Sequence, residues 1–273
     1  MRFLFLGDMV GRTGRIAVQD RLSALVDAWK LDCVVVNGEN AAGGFGITHE
    51  IFKDTIAAGA DVVTTGNHVW DQREALDFAV HEDRFLRPAN YPAGTPGRGV
   101  TMFTARNGAR VMVANIMGRV FMHPELDDPF ACVEPIIAAH PLQTVVDMSF
   151  IDFHAEATSE KMCFAHHLDG AVSLVIGTHT HQPTADTMIL DGGTGYQSDA
   201  GMCGDYNSSL GMEKTEPLNR FLTKVPRGRF EAAGGPATLC GVAAEISDRT
   251  GLCEKIAPVR LGPRLTEALP PWW

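Results

Sequence analysis

In five places along the chain an apolar run of the kind that forms a buried strand stops at side chains able to bind a metal ion. The run 3–6 is followed by Gly7 and Asp8, 33–36 by Gly38, Glu39 and Asn40, and 61–65 by Gly66, Asn67 and His68. The run 145–153 leads into His154, and 171–176 leads into Gly177, His179 and His181. Parallel strands present their carboxyl ends on one rim, where ligands bind in open α/β sheets, so the five groups are expected to meet. In an extended 177–181 segment alternate side chains share a face, which would aim both imidazoles the same way.

Each residue has a blander role to weigh. A single Asp or Asn after a strand is ordinarily a turn former or helix cap, and Asp8, Asn40 and Asn67 would each be read so alone. A lone histidine ordinarily satisfies a backbone carbonyl, the reading given to His49, His81, His123, His140, His166 and His167. Glu39 has no such role, and capping needs explain few of the others together. Two carboxylates, two amides and three imidazoles are too many for one structural zinc, and no cysteine is placed to join them. Two ions fit better. One partition gives Asp8, Glu39, Asn40 and His181 to the first and Glu39, Asn67, His154 and His179 to the second, with Glu39 bridging. The oxygen and nitrogen set suits manganese, iron or zinc better than calcium. Such pairs sit roughly 3.5 to 4 Å apart and lower the pKa of bound water toward about 7, which makes phosphate ester hydrolysis the expected reaction. His68, beside a residue already used as a ligand, is free to protonate the leaving alkoxide, or else to orient a ligand or phosphate.

Composition agrees with a local phosphate site. Lys+Arg 23 against Asp+Glu 33 leaves a net charge of −10, which repels nucleic acid and acidic membranes over most of the surface. Two divalent ions would outweigh Asp8 and Glu39 and leave one positive spot for an anionic substrate. The six cysteines are scattered and read as buried reduced thiols. Asp8 comes too soon for a signal peptide and no stretch approaches the roughly 18 apolar residues of a membrane span, so a cytoplasmic protein is expected.

The elements that must hold these residues follow from periodicity. Val18, Leu22, Leu25, Val26 and Trp29 recur at helical spacing, a helix is expected around 49–58, and Asp71 with Glu74 reads as a capping box opening another. Three βα units in a row argue for a mostly parallel sheet covered by helices. Runs 100–105 and 111–116 flank Asn107-Gly108, a hairpin signal, and 238–246 with 252–259 form a second. Helices are expected at 133–139 and 159–167. No linker marks a boundary, so 1–273 reads as one α/β domain whose second half adds a mixed or antiparallel sheet.

The ordered set Gly7-Asp8, Gly38-Glu39-Asn40, Gly66-Asn67-His68, His154 and Gly177-Thr178-His179-Thr180-His181 resembles the calcineurin-like metallophosphoesterases. More narrowly, 7–11, 37–44, 152–161 and 177–184 resemble the YmdB-type bacterial branch, and the likeness spans nearly the whole chain. The resemblance implies a four-layer αββα sandwich of two mixed sheets, a dinuclear site and phosphodiesterase activity, including on 2',3'-cyclic nucleotides. It also implies Asp8, Asn40 and His181 on one ion, Asn67, His154 and His179 on the other, Glu39 between them, and His68 as proton donor. Val10 and Glu39 stand where the broader superfamily has His and Asp. Both changes suit the narrower branch and move one ion toward oxygen-rich coordination. Iron or manganese is expected, with magnesium or zinc as alternatives. A phosphomonoesterase, or a regulatory protein that binds a nucleotide and hydrolyses it slowly, is the alternative; Trp272 and Trp273 are expected to pack on their own chain, with a homo-oligomer contact as the alternative. Phe45, Tyr196, Arg12 and Thr13 are candidates for lining the pocket, with a core or surface role equally open to each.

Overall fold

A computed structural model describes residues 1–273. Its elements in chain order are β1 (Arg2–Leu6), β2 (Asp8–Met9), α1 (Gly11–Trp29), β3 (Cys33–Asn37), α2 (His49–Ala57), β4 (Val62–Thr64) and α3 (Ala75–Phe78). Next come β5 (Val100–Thr104), β6 (Arg110–Met117), α4 (Pro129–Ala139), β7 (Met148–His154), α5 (Thr158–His167) and β8 (Leu174–Thr178). The chain closes with β9 (Met188–Ile189), β10 (Gly195–Gln197), β11 (Met202–Cys203), α6 (Thr215–Thr223), β12 (Leu239–Ile246) and β13 (Cys253–Leu261). These form a mixed α/β fold. One five-stranded sheet runs β13-β12-β1-β3-β4, one six-stranded sheet runs β5-β6-β7-β8-β10-β9, and β11 pairs β2 in a short ribbon. Both large sheets are mixed: β1-β3-β4 and β6-β7-β8-β10 are parallel, and the hairpins β12-β13 and β5-β6 are antiparallel. The two hairpins expected from the sequence are therefore present.

The period of two along each strand sorts the core. Phe3, Phe5, Cys33, Val35 and Val62 of the first sheet pack with Val111, Val113, Met148, Phe150, Leu174 and Ile176 of the second. The alternate residues Leu4, Leu6, Val34 and Val36 pack with Val18 and Leu22 of α1 and with Ile51 and Phe52 of α2. On the other side, Met112, Ala114, Ile151 and Phe153 pack with Val133 of α4 and Phe164 of α5. The tilted rings of Phe3 and Phe5 sit 4.9 and 4.8 Å from Phe150 and tie the sheets face to face.

The same alternation carries the inter-sheet face onward to the strand ends, where it turns polar. Beyond Val35 on that face comes Asn37, beyond Val62 comes Thr64, beyond Phe150 come Asp152 and His154, and beyond Ile176 comes Thr178. Register matches them, with Asn37 opposite Thr64 and His154 opposite Thr178. Buried polar groups at the end of an apolar layer must satisfy one another.

Several local expectations are corrected. Asp71 does not cap a helix: α3 is a short helix whose N-cap is Glu74, with no side-chain cap bond, and Asp71 accepts from His68 instead. Among the six free cysteines, Cys163 is exposed and Cys132 half-buried rather than core. Tyr196 is buried against the helices of the second sheet. Trp273, in line with the default expectation, packs on Trp29 of the same chain, ring centroids 5.4 Å apart, and donates to Glu245. No helix is long and apolar enough to cross a membrane.

Candidate metal centre

The structure brings the strand-end residues into two adjoining groups. In the first, His181 Nε2 lies 3.2 Å from Asn40 Oδ1 and 3.7 Å from Asp8 Oδ1. In the second, His154 Nε2 lies 2.8 Å from Glu39 Oε2, 3.0 Å from Asn67 Oδ1 and 3.1 Å from His179 Nδ1. Asp8, Glu39, Asn40, His154 and His181 are buried. Asp8 is carried by β2, which runs parallel to β11 with Asp8 opposite Met202, and its Oδ2 accepts from the His179 backbone N–H at 3.3 Å.

The partners on the far side of each ring decide which atoms face inward. Thr178 Oγ1 donates its one proton to Asp152 Oδ1 at 2.6 Å, so it must accept from His154 Nδ1 at 2.9 Å, and Nε2 then carries the lone pair. The Leu210 carbonyl accepts from His181 Nδ1 at 2.9 Å, which leaves the lone pair on Nε2. Glu156 Oε2, 3.3 Å from His179 Nε2, leaves His179 Nδ1 free in the same way. Asn40 donates its amide to the Gly44 carbonyl at 3.0 Å, so Oδ1 is the atom turned to the site. Each group is thus a set of lone pairs pointing at one another, and Asp8 Oδ1 is buried with no hydrogen-bond partner. Lone pairs repel unless a positive charge stands between them. Two ligands held about 2.1 Å from one ion at right angles are about 3.0 Å apart, which is the spacing found here. The residues fit divalent cations.

Charge in the cluster tells the same story. Burial pushes Asp8 up to about 7, against the pull of His181 and His154. Burial also works to raise Glu39, yet the charge and hydrogen bond of His154 override it and hold Glu39 well below the usual carboxylate range. His154 would be lowered by burial, but Glu39 and Asp8 lift it to about 9. His179 is pushed down to about 3 by burial and then by His154. Without an ion the buried carboxylates draw a proton onto His154 Nε2; a bound cation would take the place of that proton, with the imidazole neutral and Nε2 as the donor atom.

His179 and His181 meet their groups by a route that the sequence pattern does not suggest. β8 ends at Thr178, and the two histidines have φ of 99° and 64°, so the extended alternation expected across 177–181 is absent. Left-handed backbone at a non-glycine residue costs about 1–3 kcal/mol and persists only where surroundings enforce it. Between them, Thr180 is clamped by Asp199 Oδ2, which accepts from its backbone N–H at 2.9 Å and its hydroxyl at 2.8 Å. The buried Lys161 ammonium holds that same oxygen at 2.9 Å. Close approach matters at Gly66 as well, where a Cβ would collide with the His154 ring.

His68 stands apart from the donor groups. Its backbone N–H donates to Glu39 Oε1 at 2.8 Å, and its Nδ1 pairs with Asp71 Oδ2 at 2.8 Å, which leaves Nε2 without a partner in the chain. Its ring meets the edge of Phe45, and both line a cavity of about 550 Å³ together with Glu39, Asn40, His179 and His181.

A family model for YmdB-like proteins matches residues 4–259, a span that holds all of these side chains. The chain belongs to the YmdB-like family. Among its relatives is a 2',3'-cyclic-nucleotide 2'-phosphodiesterase of Bacillus subtilis (strain 168), 46% identical over 256 residues that make up 94% of this chain and 95% of that protein. Two solved structures superpose on this YmdB-like chain with TM-scores of 0.88: a hypothetical protein from Thermus thermophilus and a novel phosphatase from Mycoplasma pneumoniae. The first is 40% identical and covers 96% of this chain and 99% of its own; the second is 32% identical and covers 96% and 93%.

What the sequence pattern misses in this YmdB-like protein is the layer behind the donors. Asp152 accepts from Asn37 Nδ2 at 2.8 Å, from Thr64 Oγ1 and from Thr178, and burial pushes its carboxyl upward. A carboxylate inside an otherwise apolar strand run was a legible signal for it; Glu156 and Lys161 lie in the 152–161 segment that carries the family resemblance but had no role read for them, and nothing local marks Asp199. Asp152→Asn puts an amide donor among three donors and lets the His154 ring turn. Calorimetric titration with Mn²⁺ should show about 10–100-fold weaker binding; unchanged affinity would leave Asp152 with a purely structural role.

Proposed function

We propose that this YmdB-like protein is a phosphoric ester hydrolase that works as a dinuclear-metal-dependent phosphodiesterase on small cyclic nucleotides such as 2',3'-cAMP. The observation that carries the reading is the ring of lone pairs around His154 Nε2 from Glu39, Asn67 and His179. The Bacillus relative's name supports the substrate class. Asp8, Asn40 and His181 would hold one ion and Asn67, His154 and His179 the other, with Glu39 shared between them; iron and manganese suit the donors best, with magnesium or zinc as alternatives. The three separate core clusters support a four-layer αββα sandwich over 1–273 as one domain.

Divalent ions held there would supply a water ionised near neutral pH and positive charge for the phosphoryl oxygens. The chain does the rest. Burial of most of the donor groups limits contact with bulk water, so charges there interact more strongly than they would on the surface. The His68 backbone fixes one Glu39 oxygen, and Asp71 accepts from His68 Nδ1 and supports an imidazolium, whose Nε2 proton passes to the departing sugar oxygen and leaves the neutral ring with Nδ1–H on Asp71.

Protein loaded with Mn²⁺ or Fe²⁺ should turn over 2',3'-cAMP faster than a nitrophenyl monoester. The reverse order would make it a phosphomonoesterase, and tight nucleotide binding without product a regulatory protein. A metal-free preparation should also melt lower. Saturating Mn²⁺ at about 100 times its Kd adds about 2.7 kcal/mol, which is roughly 5–10 °C for a chain of this size, and a chelator should reverse the gain in a thermal scan.

A further inference from the structure

The cavity over the donor groups has a second wall, supplied by α6. Pro217, Arg220, Phe221 and Lys224 line it at spacings of three, four and seven residues, the single stripe of a helix that faces one way. Only Pro217 of α6 is buried, and Phe221 is 75% exposed, so the ring is covered by no part of the chain. Arg220 is braced: its Nε pairs with Glu216 at 2.7 Å, its Nη2 donates to the Gly228 carbonyl at 2.7 Å, and its guanidinium stacks 4.0 Å over Phe230. Lys224 keeps its ammonium 5.8 Å from the Phe221 ring, with no carboxylate paired to it.

We infer that the α6 wall is the subsite for the nucleoside end of the substrate, in which Phe221 stacks the base and Lys224 takes a second anionic group beyond the scissile phosphate. The inference rests on the proposed hydrolysis at the donor groups, and continuity carries it: Glu39, Asn40, His179 and His181 line the same cavity as Phe221 and Lys224, so the ester group of a phosphate bound there shares that cavity with α6. Aromatic faces suit a nucleobase because every base offers a π-face, whereas an alkyl ester leaves Phe221 in water. An unpaired ammonium in a chain of net charge −10 selects for a further negative group. A 2',3'-cyclic mononucleotide spends its one phosphate at the donor groups, so the preferred substrate class is a 2',3'-cyclic nucleotide that also bears a 5'-phosphate, free or as the end of a short oligonucleotide.

The test compares three substrates with Mn²⁺-loaded protein: ribose 2',3'-cyclic phosphate without a base, 2',3'-cAMP, and its 5'-phosphorylated form. Phe221→Ala should raise KM about tenfold for both adenine compounds and leave the baseless one unchanged. Lys224→Gln should raise KM only for the 5'-phosphorylated substrate, about fivefold, and the difference should fade as salt is added. Both side chains are exposed, so the variants keep the fold, which a thermal scan confirms. Equal effects on all three substrates, or none, would overturn the subsite. If wild type turns over no diester, the hydrolytic reading fails instead. Calorimetry with AMP then decides the subsite separately: weaker binding by Phe221→Ala supports it and equal binding overturns it.

Discussion

Replacing His68 by alanine should lower kcat on 2',3'-cAMP by about 10²–10⁴-fold with metal content unchanged. Metal is retained because the contact to Glu39 Oε1 comes from the His68 backbone N–H, which alanine keeps. What is lost is the imidazole that Asp71 orients toward the cavity. A ribose alkoxide departs poorly without a proton, whereas a nitrophenolate needs none. The same variant should therefore lose little on bis(p-nitrophenyl) phosphate, and the ratio of the two losses separates proton donation from a general disturbance of the site. Equal losses on both substrates would make His68 a positioning residue, and no loss on either would remove it from the reaction.

Glu39→Gln should have the larger effect. One oxygen of Glu39 accepts from His68 and the other faces His154 Nε2 at 2.8 Å, so a glutamine turns an amide N–H into one of those places and removes one of the two carboxylates in the donor groups. Turnover should fall by at least about 10³-fold, the scale of several kcal/mol of charge stabilisation. Elemental analysis should find the metal content reduced, and Mn²⁺ should no longer raise the melting temperature. A variant with full metal content and wild-type turnover would end the proposal that Glu39 joins the two ions.

Much of this site was legible because strand ends punctuate the sequence. An apolar run, a glycine and then a chelating side chain recur at Asp8, Glu39, Asn67 and His179, and the structure brings those ends together. The hairpins at 107–108 and 247–251 were legible from turn residues and flanking patterns. Two features were not. The backbone at His179 and His181 is set by Asp199 and Lys161, distant in sequence, whose pull on Thr180 outweighs the extended preference of a strand. Asp71 fits the capping-box spacing, but a histidine three residues before it competes for the carboxylate. α6 was not anticipated, although its apolar and polar residues segregate at helical spacing; the signal was present in the sequence and lies between glycine-rich segments that read as turns.

Asp152 has a consequence for how the molecule assembles. Its donors come from both large sheets, Asn37 and Thr64 from one and Thr178 from the other. If the sheets closed one residue pair out of alignment, apolar side chains would meet and slide with little penalty, but this carboxylate would be sealed in without donors, at a cost of about 3–5 kcal/mol. Misaligned closure is thereby penalised at the place where His154 is set. The carboxylate that fixes the register of the two sheets is thus the one that sets the His154 ring, so correct alignment and the orientation of that imidazole come together.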